Sequence, residues 1–352
     1  MKFIKIILLV AGSILAILIL AAGVYVYHNL NYYKTPLRRT MRAGFVEKQV
    51  TLEDGTILNY AEGPDNGPAL LLIHGQMVSW KDYADVLPAL SEHYHIFAVD
   101  VHGHGKSSRN PEKYSVEAIG ADLAWFMENV IGQPVIVSGH SSGGLLTAWL
   151  AANASENIRG IVLEDPPFFS TEASRIQNTF AWVDSFEPIH RFLAQDETND
   201  FPLFYLENCY WLHFFGDGRE GILRYARSYR AKHPQEDLKV FFLPPSITRI
   251  FLFLESYDPR FGDTFYDASW NKDFDHAEIL AKIDMPSVLI HTNWSYDENG
   301  ILLAAMSGED AKRAHLLIPG NKLINVDSGH DVHAEKPKEF TQIMLDFLEE
   351  IQ

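Results

Sequence analysis

The segment Gly139-His140-Ser141-Ser142-Gly143 constrains the fold of this chain more than any other part of its sequence. It follows an apolar run at 135–137 that is typical of a β-strand, and it precedes an apolar run at 145–152 that is typical of a helix. A G-x-S-x-G pattern in this position predicts a sharp turn in which the serine has strained backbone angles and the residues two before and two after it are small. Gly139 and Gly143 meet this demand around Ser141, whereas Ser142 has His140 two positions before it. The alternative is an ordinary Gly/Ser-rich turn.

Short apolar runs alternate with helical patterns on both sides of this turn, which predicts an α/β fold. Val46–Leu52 and Thr56–Ala61 flank Glu53-Asp54-Gly55, a hairpin signal. Helical spacing is found at 80–90, 116–131 and 337–349. The further predicted strands are Ala69–Ile73, Ile96–Val99, Val135–Val137, Ile161–Leu163, Ser287–His291 and Lys322–Val326. We therefore expect a mostly parallel central sheet of about eight strands with helices on both faces.

The strand rhythm stops after Pro167 and resumes near residue 285. Residues 168–284 are rich in aromatic side chains, and helices are predicted at about 175–195, 203–215, 219–232 and 246–256. An insertion between strands six and seven of such a sheet is expected above the strand C-termini, as a helical cap over Ser141. About two-thirds of its aromatics should form the core of the cap and the rest should line an apolar pocket. The aromatics considered are Phe168, Phe169, Trp182, Phe186, Trp211, Phe214 and Phe215.

The N-terminus is predicted to be a membrane anchor. No charged residue occurs from Ile6 to Tyr27, and as a helix these residues span roughly 33 Å, enough for a hydrocarbon core. A cleaved signal peptide is the alternative, but this run is longer than such an apolar stretch usually is. Basic residues lie at both ends, so the positive-inside rule barely discriminates the orientation. We expect a single-pass protein with the catalytic domain outside the cytoplasm.

The predicted organisation is therefore an anchor at 1–27, a polar and basic linker at 28–45, a first core part at 46–167, a cap at 168–284 and a second core part at 285–352. The net charge of −17 argues against a nucleic-acid partner. The one cysteine, Cys209, excludes an intramolecular disulfide and lies among large aromatics, where packing is its expected role.

Three further motifs follow predicted strands at positions that suit the turn at Ser141. They are His74-Gly75-Gln76-Met77, the run Asp100-Val101-His102-Gly103-His104-Gly105-Lys106-Ser107, and Gly329-His330 with Glu335, Pro337 and Phe340 after it. Together with the G-x-S-x-G turn, these motifs make residues 46–350 resemble the α/β-hydrolase superfamily, most weakly across 168–284. The resemblance specifies the fold and leaves the substrate open.

The resemblance implies that Ser141 is a nucleophile, that His330 takes and returns its proton, and that the backbone N–H groups of Gln76 and Ser142 form an oxyanion hole. The acid usually follows the strand after the cap, which makes Asp297 the preferred residue, although the glycine of the family's Gly-x-x-Asp turn is missing here. Asp165 (or Glu164), after strand six, is the alternative, and Glu298 or no acid are the remaining possibilities.

A serine at the turn disfavours epoxide opening and halide displacement, for which family members use an aspartate. The leading hypothesis is a membrane-anchored serine esterase or lipase-like hydrolase acting on a small apolar acyl substrate. Acyl transfer, peptide cleavage, carbon–carbon hydrolysis, perhydrolysis and a non-catalytic binding role stay open. No cofactor is expected, because no G-x-G-x-x-G opens a helix after the first strand of a βαβ unit. No metal is expected, because His102 and His104 fit the glycine turn of the family pattern better than a ligand set.

Overall fold

The computed structural model describes residues 2–351 and contains one eight-stranded sheet with the strand order β1-β2-β4-β3-β5-β6-β7-β8. The pairs β1–β2 and β2–β4 are antiparallel, and the remaining pairs are parallel. The strands are β1 Val46–Thr51, β2 Ile57–Glu62, β3 Ala69–Ile73, β4 His95–Val99, β5 Val135–His140, β6 Ile158–Glu164, β7 Ser287–His291 and β8 Lys322–Asn325. The predicted fold class, with its mostly parallel sheet, is confirmed.

Helices cover both faces of the sheet. Leu71 and Ile73 of β3 point into the larger apolar core, whereas Leu70 and Leu72 point into the smaller one, as the period of two in a strand requires. The helices outside the region between β6 and β7 are α1 Lys2–Asn31, α2 Lys34–Arg42, α3 Leu87–Leu90, α4 Val116–Phe126, α5 Ser142–Asn153, α12 Gly308–Leu317, α13 Val332–Glu335 and α14 Pro337–Ile351. Helices α4, α5 and α12 contribute to the larger core, and α14 contributes to the smaller one.

The region between β6 and β7 is helical, as predicted. Its α-helices are α6 Glu187–Leu193, α7 Phe201–Asn208, α8 Arg219–Lys232, α9 Pro245–Thr248, α10 Pro259–Tyr266 and α11 His276–Ala281. Short 3-10 or π-helical turns lie at Ile176–Asn178, Trp182–Phe186, Trp211–Gly218, Arg249–Leu252 and Leu254–Ser256. The last two α-helices were not expected from the sequence. We refer to residues 168–284 as the cap.

Helix α1 is long and apolar enough to cross a membrane, and its most apolar window is not buried in the protein. The end of α1 packs on the cap. The Asn29 amide donates to the carbonyl oxygens of Phe241 and Leu243 at 2.9 and 3.0 Å, and the Tyr25 hydroxyl donates to that of Phe242 at 3.1 Å. The segment predicted to be a linker continues as the short helix α2, whose Thr40 hydroxyl donates to the Ala84 carbonyl at 3.2 Å. The end of α1 is therefore attached to the folded core through the cap, and α2 through Ala84.

Candidate active site

Ser141 occupies the tight turn between β5 and α5, with φ 54° and ψ −123°. This positive φ is unfavourable for a residue with a side chain and is held by the surrounding structure. The Ser141 N–H donates to the Glu164 carbonyl at 2.9 Å, and the Ser141 carbonyl accepts from Gly144 at 2.8 Å. A Cβ on Gly139 would collide with the Gly143 carbonyl, and one on Gly143 would collide with that of Ile73. The glycines are thus required by close backbone contacts.

The loop after β3 lies against this turn. A Cβ on Gly75 would be 2.9 Å from the Cβ of Ser141, so the glycine makes room for the serine. Two buried histidines hold the loop: His74 Nε2 accepts from the Val101 N–H at 2.9 Å, and His104 Nε2 accepts from the Met77 N–H at 3.1 Å. His104 therefore supports the loop. This hydrogen bond gives one histidine of the His102-Gly103-His104 run a structural role that needs no metal.

The amides of Gln76 and Ser142, which the sequence predicts as oxyanion donors, directly follow Gly75 and Ser141, the two residues that meet here. Neither N–H donates a hydrogen bond within residues 2–351. The Gln76 side chain accepts at 3.2 Å from the hydroxyl of Tyr257, a buried cap residue. Two free backbone donors beside a serine suit a developing oxyanion.

His330 lies after β8 and is paired with Asp165, which follows β6 directly. The distance from His330 Nδ1 to Asp165 Oδ2 is 2.7 Å. Asp165 is fully buried, and its Oδ2 also accepts from the Thr292 hydroxyl at 2.9 Å. Burial opposes protonation of His330, but the hydrogen bond and charge of Asp165 outweigh it and raise the pKa of the imidazole to about 9. A carboxylate on Nδ1 leaves Nε2 as the basic nitrogen.

The preferred acid of the sequence analysis, Asp297, is not beside His330. Its carboxylate accepts from the Tyr210 hydroxyl and from the backbone N–H groups of Asn299 and Ile301, the last two at 2.8 and 2.9 Å. The loop after β7 is long enough to turn away from the sheet edge, so Asp297 caps a local turn instead. Asp165, the alternative, takes its place as the candidate partner of His330.

The other residues considered from the sequence have different surroundings. Glu164 bonds His333 and not His330, and Glu298 is exposed. His140 is buried, and its ring packs at a tilt against that of His330, with the ring centroids 4.5 Å apart. His102 pairs with Asp122 at 2.7 Å. Cys209 is buried, which raises the pKa of its thiol and fits a packing role.

One group of possible metal ligands lies near the site. Single ligand atoms of Asp82, His140 and Asp331 lie within 4.8 Å of one another. The Asp82 carboxylate already accepts from Arg249 at 2.6 Å and from His333 at 3.0 Å. A guanidinium and an imidazole at the same carboxylate oppose a metal cation, so we assign no metal to this group.

The aromatics expected in the cap divide between core and surface. Phe168, Phe169 and Phe186 are buried in the larger core, and Trp182, Trp211 and Phe215 pack against it partly exposed. Phe214 is 63% exposed. Six of the seven therefore pack in or against a core that the cap shares with the sheet, and not in a separate core of the cap.

Several residues near the site were not found from the sequence. Tyr257 and Arg249 belong to the cap, Asp82 follows β3, and His333 lies in α13. No local pattern marks them, because each meets its partner only through the tertiary fold.

A model for the α/β-hydrolase fold matches residues 68–337. Bifunctional epoxide hydrolase 2 of Sus scrofa is 32% identical over 122 residues, which are 34% of this chain and only 22% of that protein. Among solved structures, a bacterial membrane phospholipase A has a TM-score of 0.60 at 19% identity and covers 97% of this chain and 98% of its own. The esterase RhEst1 from Rhodococcus sp. ECU1013 has a TM-score of 0.57 at 21% identity, covering 88% and 99%. At these identities the two structures share the fold with this chain.

Proposed function

We propose that this chain, which belongs to the α/β-hydrolase fold family and is an enzyme of that family, is a membrane-anchored serine hydrolase that cleaves an ester-type acyl bond. Ser141 is the nucleophile, His330 the general base and acid, and Asp165 the carboxylate that orients His330. The N–H groups of Gln76 and Ser142 bind the oxyanion. The substrate is a small molecule with an apolar acyl or alcohol group.

Acylation begins when Ser141 Oγ attacks the carbonyl carbon while His330 Nε2 takes the hydroxyl proton. The carbonyl π pair moves onto oxygen, and the resulting anion lies between the amides of Gln76 and Ser142. Asp165 stabilises the imidazolium through Nδ1 without taking its proton. When the tetrahedral intermediate collapses, the bond to the leaving oxygen breaks and His330 returns the proton to it, which releases the alcohol.

Deacylation repeats these steps with water as the nucleophile. His330 Nε2 takes a proton from water, the hydroxide oxygen attacks the acyl carbon, and the same two amides bind the oxyanion. Collapse breaks the bond to Ser141 Oγ, which regains a proton from His330. The products are a carboxylic acid and the free enzyme.

The observation that carries this proposal is the pairing of His330 with the buried Asp165 at 2.7 Å, at the same sheet edge as the strained turn of Ser141. A serine nucleophile needs an imidazole as its base. A buried aspartate that is hydrogen-bonded to this imidazole orients the ring and stabilises its protonated form. The serine, and not an aspartate, at the turn favours an acyl-enzyme over epoxide opening.

The test is hydrolysis of nitrophenyl esters from acetate to dodecanoate by the full chain in detergent. We expect turnover by the wild type and loss of kcat by at least about 10³ in Ser141→Ala, as for other triad serines. Ser138→Ala is the matched control: Ser138 lies in the same strand, is buried, and its hydroxyl has no partner in the described part of the chain. Full activity of Ser141→Ala would contradict the serine mechanism.

The membrane part of the proposal rests on α1, with its exposed apolar surface and its contacts to the cap. A similar bacterial protein, described as a membrane phospholipase A, aligns over 97% of this chain. We expect the full chain to stay in the membrane fraction after alkaline carbonate extraction, and Leu15→Arg/Leu18→Arg to release it. Release of the wild type would contradict anchoring. Protease accessibility in intact cells tests the expected extracytoplasmic side.

A further inference from the structure

A buried ion network lies directly behind the candidate active site, with His333 at its centre. His333 is fully buried; its Nδ1 is 2.8 Å from Glu164 Oε1 and its Nε2 is 3.0 Å from Asp82 Oδ2. Because a carboxylate oxygen faces each ring nitrogen, both nitrogens donate and the ring is an imidazolium. Burial alone would lower the pKa of His333, but Glu164 and Asp82 raise it to about 10.

Arg249 of the cap completes the network. Its Nε donates to Asp82 Oδ1 at 2.6 Å, and a second guanidinium nitrogen donates to the Asp82 carbonyl. The buried members are two carboxylates, one imidazolium and one guanidinium, and Arg249 also reaches the partly exposed carboxylate of Asp85 at 3.4 Å. Charges buried in this way are tolerated only when they are paired and hydrogen-bonded, so removal of one cation leaves an uncompensated negative charge.

The network is connected to His330 through residues that are close in the chain and through packed side chains. Glu164 and Asp165 are neighbours at the end of β6; Asp165 holds His330, while Glu164 accepts both the ring and the backbone N–H of His333, the latter at 2.8 Å. The two histidines are three residues apart. The His140 ring packs at 4.5 Å from His330 and 5.0 Å from His333. The titratable or charged groups around the two rings are His74, Asp82, Tyr83, His140, Glu164, Asp165, Arg249 and Asp331.

We propose that His333 is a positioning residue, which as an imidazolium between Glu164 and Asp82 fixes the turn that carries His330, and that Arg249 extends this function into the cap. The position of the cap on the core and the alignment of His330 are then coupled through one buried carboxylate, Asp82, which binds both Arg249 and His333. This inference rests on the proposed function, because it concerns the same catalytic histidine.

The test compares His333→Gln with wild type in the full chain, by kcat, KM and the pH profile of kcat/KM on a nitrophenyl ester. We expect kcat at neutral pH to fall by about tenfold to a hundredfold with KM little changed, since the catalytic geometry and not substrate binding is affected. The rising limb of the profile should move to higher pH, because the excess negative charge favours protonated His330. A merely structural role would lower activity without moving this limb.

Three further variants and a control sharpen the test. Glu164→Gln/His333→Gln removes one charge of each sign, and we expect it to return the limb towards its wild-type position. Arg249→Met should move the limb in the same direction as His333→Gln, whereas Arg249→Lys keeps the charge and should move it less. His233→Gln is the matched control, because His233 pairs with Glu236 at 3.0 Å on the exposed surface of the cap. It should change neither kcat nor the profile.

An unmoved limb in both His333→Gln and Arg249→Met would overturn the positioning proposal, even if kcat fell. Where His333→Gln does not fold, as judged by circular dichroism, the comparison of Arg249→Met with Arg249→Lys decides the question. A wild-type chain that neither hydrolyses esters nor reacts with a fluorophosphonate would instead contradict the proposed function. An active wild type with unaffected variants would contradict only the positioning role.

Discussion

Replacement of Asp165 by asparagine tests whether Asp165 or Asp297 is the acid that assists His330. Asp165 is buried, and its Oδ2 accepts from both His330 and Thr292. If the new amide nitrogen faces His330, Nδ1 must accept and the proton moves to Nε2, which can no longer take the serine proton. If the amide oxygen faces His330, the tautomer is kept but the charge that stabilises the imidazolium is lost. Aspartate-to-asparagine changes in this role lower kcat by about 10⁴, or roughly 5 kcal/mol of transition-state stabilisation.

We therefore expect kcat of Asp165→Asn to fall by about 10³ to 10⁴ in the nitrophenyl ester assay. Asp297→Asn is the matched control, and because that side chain only caps a turn and bonds Tyr210, its effect should stay within about threefold. Circular dichroism checks that both variants fold. A loss of 10³ in Asp297→Asn, with Asp165→Asn close to wild type, would refute the assignment.

The pH profile gives an independent readout of the same pair. The base must be neutral, so kcat/KM is high above the pKa of His330 and decreases as the pH falls through that pKa. Asp165 raises this pKa to about 9, and because 37% of the imidazole side chain is exposed, solvent screening weakens the effect. The rising limb of the wild type should thus lie above the ordinary value of about 6.5. Asp165→Asn removes the largest cause that raises this pKa, so the limb should move to lower pH; an unmoved limb would contradict the pairing.

Other contacts allow further predictions. Gly75→Ala places a Cβ 2.9 Å from that of Ser141 and should lower kcat at least about tenfold, whereas Gly221→Ala, which meets nothing within 4 Å, should not. Trp270 is fully buried and stacks on Phe265 with ring centroids 4.8 Å apart, so Trp270→Ala should lower the free energy of unfolding by about 3–5 kcal/mol in a denaturant titration. Asn29→Ala removes two hydrogen bonds to the cap and should raise proteolysis near residues 241–243, while Asn31→Ala, at the exposed end of α1, should not.

Much of the architecture could be predicted because it depends on local patterns. The alternation of apolar runs with helical spacing is a property of neighbouring residues, and so are the glycines around Ser141 and the Gly-His pair after β8. Helix α10 was not predicted, because Pro259–Tyr266 is only eight residues long and the helical spacing of its buried Phe261 and Phe265 covers little more than one turn.

The acid could not be chosen from sequence alone. Strands β6 and β7 are parallel neighbours, with Glu164 opposite Ile290, so residues after either strand can reach His330. The direction of the loop after β7 decides between them, and this loop is bonded to distant segments of the cap, through Leu302 to Thr179 and through Asp297 to Tyr210. Asp165 follows its buried strand directly with a positive φ of 43°, which fixes its side chain at the sheet edge. The network of Arg249, Asp82 and His333 is likewise formed by distant segments.

The most direct test of the central claim, that Ser141 is the nucleophile, is reaction of the full chain with a fluorophosphonate followed by peptide mass spectrometry. The hydroxyl attacks phosphorus and fluoride leaves, so a nucleophilic serine retains a stable phosphonyl adduct. We predict one adduct, on the peptide that contains Ser141, absent in Ser141→Ala and strongly slowed in Asp165→Asn. An unlabelled wild type, or label that persists in Ser141→Ala, would contradict the proposed mechanism.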